Sequence, residues 1–401
     1  MKLERGGIMK ILSVNAGSSS LKFQVYEMPE EKILIKGRFE RIGIDNSFYT
    51  IWINGEKIKK DAELPNHEVA FKIVTEELKN YEIVKDLDEI DAIGHRVVHG
   101  GDKYSESVII DEDVMKTVEE LVDLAPLHNP ANIMGIRAAQ TVFPKAKQVA
   151  CFDTAFHQTI KKEKFIYAVP YEWYTKYGVR KYGFHGMSHK YVSNRAMELM
   201  DRDLGNVIVC HLGQGGSISA VRDGRCINTT MGFTPNSGTI MGSRSGSIDY
   251  GIIPFIMNKT GKTISEVDTI LNKESGMLGI SGVSCDFRDI DDAIAKKHSG
   301  AILAHHAYVN SIVKYIAQYY VELGGVDAIC FTAGVGENAP HIRRMVIDRL
   351  NCLGIKCDRV ENDKHRGEEA LISTSDSSAK CYVIPTDEEV MIARDTYNLS
   401  I

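Results

Sequence analysis

Two arginines set among glycines, two carboxylates at the edges of apolar runs and two glycine-rich turns are the parts of this sequence that could do chemistry. Arg96 lies in Gly94-His95-Arg96-Val97-Val98-His99-Gly100-Gly101, and Arg244 in Gly242-Ser243-Arg244-Ser245-Gly246. His185 lies in a related run, Tyr182-Gly183-Phe184-His185-Gly186-Met187-Ser188-His189. Flanking glycines suit a loop in which side chain and backbone approach a ligand closely. A surface ion pair is the equal alternative for Arg96. Asp153 follows the apolar run 148–152, at the strand end where α/β folds place functional groups and where helix caps also sit. Near the end of the chain, Thr386 with Glu389 three residues on fits a capping box, which leaves Glu388 available for chemistry.

The turn Asn15-Ala16-Gly17-Ser18-Ser19-Ser20-Leu21-Lys22 sits between two β-rich runs. Its backbone N–H groups and hydroxyls could form a concavity for an anion such as phosphate, or the turn could be an ordinary hairpin. The pattern of strand, glycine turn and strand returns at residues 206–221 around Gly213-Gln214-Gly215-Gly216-Ser217. This repeat, offset by close to half the chain, predicts a duplicated α/β domain with a ligand between the halves. A further Gly-x-Gly, in Thr332-Ala333-Gly334-Val335-Gly336-Glu337-Asn338, follows an apolar strand and precedes a helix with Pro340 in its first turn. That arrangement is a nucleotide-binding geometry, although one Gly-x-Gly is weak evidence. Residues 284–290, Ser-Cys-Asp-Phe-Arg-Asp-Ile, add a charged turn ahead of helical segments.

The elements that must position these groups are legible in outline. Residues 9–55 alternate β-rich runs with polar turns and predict an antiparallel meander. Helical periodicity follows at Ala70, Ile73, Val74 and Leu78, then a buried strand at 90–93, helices ending near 125 and spanning 130–142, and a long helix over 301–323 stopped by Gly324-Gly325. At 401 residues the chain exceeds one ordinary core, so two domains are expected. A formal net charge of -6 and the lack of a long Lys/Arg block argue against nucleic acid and membrane surfaces and for a small-molecule partner. No apolar run approaches membrane-spanning length, so a cytoplasmic protein is expected, and residues 1–8 read as an extended start that the fold does not use. Eight cysteines, none in a C-x-x-C pair and most in apolar runs, imply buried reduced thiols rather than disulfides or zinc ligands.

Taken together in order, residues 15–22, 94–101, 124–130, 153–157, 182–189, 211–213, 231–235, 242–246, 331–338 and 385–395 resemble the acetate kinase family, nearly end to end. The resemblance implies a duplicated actin-like ATPase (ribonuclease-H-like) core with an interdomain active-site cleft. It implies a first domain of residues 1–154 closed by 387–401, and a second of 155–386 that binds nucleotide and dimerises. It further implies a cytoplasmic homodimer that transfers phosphate between ATP and acetate, giving ADP and acetyl phosphate, with Mg²⁺ or alternatively Mn²⁺.

Carried over by position, the resemblance implies that Arg96 and Arg244 hold the carboxylate and the transferring phosphoryl group. Asn15 and His185 would contact that phosphoryl group, with His185 and Arg244 stabilising the transition state. Asp153 would be a catalytic carboxylate, and Glu388, with Asn15, would serve the metal. Lys22, His211, Leu212, Gly213, Gln214 and Gly215 would line the nucleotide phosphates. Asp286, Phe287, Arg288, Gly334, Val335, Gly336, Glu337 and Asn338 would hold the adenosine. Val98, Leu127, Phe184 and Pro235 would form an apolar pocket for the methyl group, the bulkier Val98 favouring acetate over propionate. Gln214, the Gly246-Ser247-Ile248-Asp249-Tyr250 run and Asp387 depart from the family pattern. They place nucleotide preference and metal affinity in question. The other readings are a propionate or short-chain acyl kinase and, from a different class, a non-catalytic actin-like nucleotide switch.

Overall fold

The computed structural model describes residues 7–126 and 128–401. Contacts divide the chain into two compact units, Met1–Ala155 with Asp387–Ile401, and Phe156–Thr386.

The first unit is built on strands β1 (Met9–Gly17), β2 (Ser20–Met28), β3 (Lys32–Glu40), β4 (Phe48–Ile53), β5 (Glu56–Asp61), β6 (Ala92–Val97), β7 (Val108–Ile109) and β8 (Lys147–Phe152). They form one sheet in the order β5-β4-β3-β2-β1-β6-β8-β7. The meander from β1 to β5 is antiparallel, as the alternating runs predict, while β6 and β8 run parallel to β1. The β4–β5 turn shows the local logic, since Asn54 and Gly55 both take positive φ, 51° and 81°, as the tight primed turn demands. Helices His67–Asn80 and Asn129–Val142 bury Phe71, Val74 and Ala139 against Leu12, Val14 and Phe23 of the sheet.

The C-terminal helix Glu388–Ser400 packs on β1 and β6. A Cβ at Gly94 would lie 2.1 Å from Thr396 Oγ1 and 2.4 Å from Ile392 Cγ2. Gly94 therefore serves helix packing, and Gly94-His95-Arg96 belongs to β6 rather than to a ligand loop. The expected capping box is also corrected. Asp387, not Thr386, caps the last helix, accepting from the Val390 N–H at 2.9 Å. The residue that departs from the family pattern thus has a structural reason to carry a short side chain with an acceptor oxygen.

The second unit contains β9 (Asn206–Leu212), β10 (Gly216–Arg222), β11 (Arg225–Thr229), β12 (Ala328–Thr332), β13 (Ala370–Leu371) and β14 (Lys380–Val383), ordered β11-β10-β9-β12-β14-β13. The run β11-β10-β9-β12-β14 reproduces β3-β2-β1-β6-β8, with the same antiparallel hairpins and parallel neighbours. Strand β9 is covered on both faces, which is why it reads as a continuous apolar run. Ile208 and Cys210 pack with Tyr308, Ile312 and Ile316 of helix Ser299–Leu323, while Val207 and Val209 pack with Val192 and Ala196 of helix Gly186–Leu199.

Two further expectations need adjusting. Gly334-Val335-Gly336 is not an open turn but lies within a short helix, Ala333–Asn338. Five of the eight cysteines are buried, but Cys352 is exposed and Cys285 and Cys357 are half-buried. No helix among the described residues is long and apolar enough to cross a membrane.

Candidate active site

In each unit the residues singled out by sequence gather at the carboxyl ends of three adjacent parallel strands, where α/β sheets bind ligands. In the first unit Asn15 ends β1 within its hairpin, Arg96 and Val98 lie at the end of β6, and Asp153 follows β8. The Arg96 guanidinium donates from Nη2 to Asp153 Oδ2 at 2.8 Å, and its Nε stands 3.7 Å from Glu388 Oε2 at the start of the last helix. Burial works against the charge of Arg96, but the Asp153 and Glu388 carboxylates outweigh it and raise the guanidinium further above its ordinary range. Burial pushes the Glu388 carboxyl up to about 7; Arg96 and Lys22 oppose this, while Asp153 and Glu389 add to it. Lys22 is exposed on β2 and pairs in register with Asn15.

The loop after β6 is held by two asparagines that sequence reasoning did not single out for the site. Asn132 Oδ1 accepts from the Val98 N–H at 3.0 Å, and its Nδ2 donates to the Ala16 carbonyl at 2.9 Å. One buried side chain therefore fixes the β6 loop against the end of β1. Asn129 Oδ1 accepts from the His99 N–H at 3.2 Å, and its Nδ2 donates back to the His99 carbonyl at 3.2 Å. His95 bonds Gln148 Oε1 at 2.7 Å, and burial pushes its imidazole down to about 4, so it is a neutral core group. Val98 is buried, and Leu127 lies outside the described residues.

In the second unit the β9–β10 turn, Gly213-Gln214-Gly215, is closed by a Gly213 N–H to Gly215 carbonyl bond of 3.0 Å. A Cβ on Gly215 would stand 3.4 Å from Arg244 Nη1 and 3.6 Å from His185 Nε2, so this glycine lies beside both side chains. His185 takes φ 58° as the residue before helix Gly186–Leu199. Its Nδ1 bonds Ser217 Oγ at 2.9 Å, and its ring stacks on His211 with centroids 4.0 Å apart. Ser217 Oγ also bonds His189 Nε2 at 2.7 Å, and His189 Nδ1 bonds Ser219 Oγ at 2.7 Å. Burial holds His189 far below its usual value, so a neutral ring with two hydroxyl partners fixes the Ser217 hydroxyl that steers His185. On the other side of the stack, His211 Nδ1 bonds Ser188 Oγ at 2.7 Å.

Arg244 is half-buried, and its Nη1 donates to the Pro235 carbonyl at 3.3 Å. Among the described residues no carboxylate pairs with it, and desolvation lowers its affinity for its proton. Its loop is fixed from outside. Ser275 N–H donates to the Ser243 carbonyl at 2.9 Å, and Gly276, at φ 61°, leaves no room for a Cβ, which would lie 2.6 Å from the Arg244 carbonyl. The Gln214 side chain lies over Gly242, where a Cβ would stand 2.1 Å from its Oε1. Phe184 is buried, and its carbonyl bonds His157 Nε2 at 2.8 Å.

The segments expected at the adenosine are built differently. Asp286 caps helix Phe287–Ala295, accepting from the Arg288 N–H at 2.9 Å, and pairs with the exposed Arg288 guanidinium at 2.6 Å. That pairing pulls the Asp286 carboxyl down to about 2, so both residues have a structural explanation. Gly334 has open space where its Cβ would be, whereas Gly336 is packed against Phe331 and Cys210. Glu337 Oε1 accepts from the Ala333 N–H at 2.7 Å and the Thr386 N–H at 3.2 Å. The fully buried Arg343, missed by sequence reasoning, donates to the Gly336 and Glu337 carbonyls at 2.9 and 2.7 Å and so caps the short helix. Asn338 Nδ2 donates to the Gly334 carbonyl at 3.0 Å.

Two sheets of one strand order, each presenting cationic and glycine-rich groups at the carboxyl ends of parallel strands, define a duplicated α/β fold of a kind suited to anionic ligands. Solved structures agree. The acetate kinase of Porphyromonas gingivalis superposes with a TM-score of 0.93 at 43% identity, over 98% of this chain and 99% of that one. A propionate kinase from Francisella tularensis gives 0.92 at 42% identity, over 98% and 100%. The acetokinase family profile matches residues 10–394, and the chain belongs to that family. It is 55% identical over 393 residues to an acetate kinase of Geobacillus sp. (strain WCH70), covering 98% of this chain and 99% of that one.

Proposed function

We propose that the protein phosphorylates acetate reversibly: a carboxylate oxygen attacks the γ-phosphorus of ATP in line, forming the acyl O–P bond of acetyl phosphate while the bond to the β-bridging oxygen breaks and ADP leaves. The observation that carries this reading is Arg244, a half-buried guanidinium without a carboxylate partner among the described residues, beside His185 at a glycine turn. A desolvated cation in that state is poised for an anion, and phosphoryl transfer asks mainly for positioning and charge neutralisation. Arg244 and His185 then meet the transferring phosphoryl group, and Arg96 orients the acetate carboxylate. Residues 211–215 and Lys22 serve the phosphates, and residues 286–288 and 334–338 the adenosine. Val98, buried beside the end of β6, serves the methyl group.

The first unit's donor set fits a magnesium ion. Asn15, Asp153 and Glu388 offer hard oxygen ligands, and the Asp153 and Glu388 carboxylates both stand by Arg96. A bound Mg²⁺, with Mn²⁺ as substitute, would neutralise phosphate charge. The carboxyl of Glu388, held near 7, must give up its proton to serve it. We further propose a homodimer in the cytoplasm. Exposed Tyr250, Ile252 and Phe255 support the dimer, and reduced thiols support the compartment.

Hydroxamate trapping of acyl phosphate across acetate, propionate and butyrate with ATP, GTP and pyrophosphate tests the proposal. Acetyl hydroxamate with ATP is expected. No product with any pair would overturn it in favour of a nucleotide switch. The similarity to a propionate kinase keeps propionate as the second reading, and a larger specificity constant for propionate would select it.

A further inference from the structure

Three residues given no part in the reaction above, Asp291, His305 and His341, converge from three helices, Phe287–Ala295, Ser299–Leu323 and Pro340–Asp348. One ligand atom of each lies within 4.8 Å of the others. His341 Nε2 stands 3.1 Å from Asp291 Oδ1, and the His305 and His341 rings stack with centroids 5.2 Å apart. His305 is only 7% exposed, and its buried Nε2 has no hydrogen-bond partner among the described residues. An imidazole nitrogen left in that state is destabilising, and structures rarely keep one without a use.

We propose that Asp291, His305 and His341 form a binding site for one borderline divalent cation of the zinc type. Two imidazole nitrogens and one carboxylate oxygen are the donors that such ions prefer, whereas Mg²⁺ and Ca²⁺ take oxygen sets. Three protein ligands leave a fourth tetrahedral position for water, and the half-exposed Asp291 and His341 give the ion an entrance. A bound cation takes up the orphaned His305 nitrogen and ties the three helices together. The spacing of the three residues in the chain matches no sequence motif for zinc, so only the fold shows the site. The site also joins the helix that begins at Asp286 to the helix that follows Asn338, the two segments assigned to adenosine; the metal test does not depend on that assignment.

The test uses the full chain, stripped with chelator, in excess Mg²⁺ and without nucleotide, so that the Glu388 corner does not compete. Zinc is titrated calorimetrically, and cobalt(II) is added as a probe whose visible absorption reports tetrahedral coordination. The wild-type chain is expected to bind one equivalent of zinc, give the tetrahedral cobalt spectrum and melt at a higher temperature with zinc. His341→Gln and Asp291→Asn alter the partly exposed ligands, and circular dichroism checks that they fold. Each should lose the cobalt spectrum and bind zinc at least about tenfold more weakly, since even outer-shell changes at metal sites have effects of that size. A wild-type chain with no tetrahedral cobalt spectrum, or a spectrum and zinc affinity unchanged in both variants, would overturn the proposal. The three residues would then be an ion pair with a stacked core histidine.

Discussion

Arg96 and Arg244 stand at the rims of two sheets with one strand order, yet their surroundings are opposite. Arg96 is held by Asp153 at 2.8 Å and faces Glu388 at 3.7 Å, so its charge is balanced within the protein. Arg244 is held by a carbonyl and by the shape of its loop, with no carboxylate partner among the described residues. The difference teaches a division of labour. The first unit has gathered oxygen donors around a paired arginine, which suits a cation, and the second presents a positive charge that suits a phosphoryl group.

The sharpest way to break that contrast is Arg96→Ala. Turnover in the hydroxamate assay should fall about a hundredfold or more, the scale of losing one transition-state donor. The buried Asp153 also loses its bond to the Arg96 guanidinium, so denaturant melts should show a loss of about 2 kcal/mol, limited because Glu388 can take up a proton. Asn132→Ala leaves the Arg96 ion pairs intact but frees the β6 loop from β1. Steady-state kinetics should show about a tenfold drop in kcat/KM for acetate, as expected for a small displacement of positioned groups.

Val98→Ala changes only the reach of the proposed methyl pocket. The ratio of specificity constants should move toward propionate by roughly tenfold, since one methylene is worth about 1–3 kcal/mol in such pockets. The smallest effect is on pH. A carboxyl raised from 4.5 to about 7 in the folded chain holds its proton there when the unfolded chain has lost it. Stability of the metal-free protein should therefore fall as pH rises from about 4.5 to about 7. Thermal melts of Glu388→Gln should lack that slope, and Mg²⁺ should raise the melting temperature at pH 8 in the wild type but not in the variant.

Much of this contrast was visible in the residue order. The meander, the repeated hairpin and the strand-end Asp153 follow from periodicity and turn chemistry, which are local properties. The glycine-flanked arginines were visible as candidates, but their difference was not, because pairing depends on which strands become neighbours. Asn132 reads as an ordinary helix polar residue until β1 and β6 lie side by side. Arg343 reads as the wet side of an amphipathic helix, yet the fold buries it among carbonyls. Gly94 drew attention as a ligand-loop glycine, although its reason is a helix from the far end of the chain. Asp387 looked like a departure from the family pattern and proved to be the cap that Thr386 was expected to provide.

The role of Arg244 is tested most directly by Arg244→Ala, assayed for acetyl phosphate beside a thermal melt. Turnover should fall about a hundredfold or more, while the melting temperature stays level or rises, because removing a desolvated, unbalanced charge does not weaken the fold. Near wild-type turnover would contradict the account, as would a loss of activity that follows unfolding.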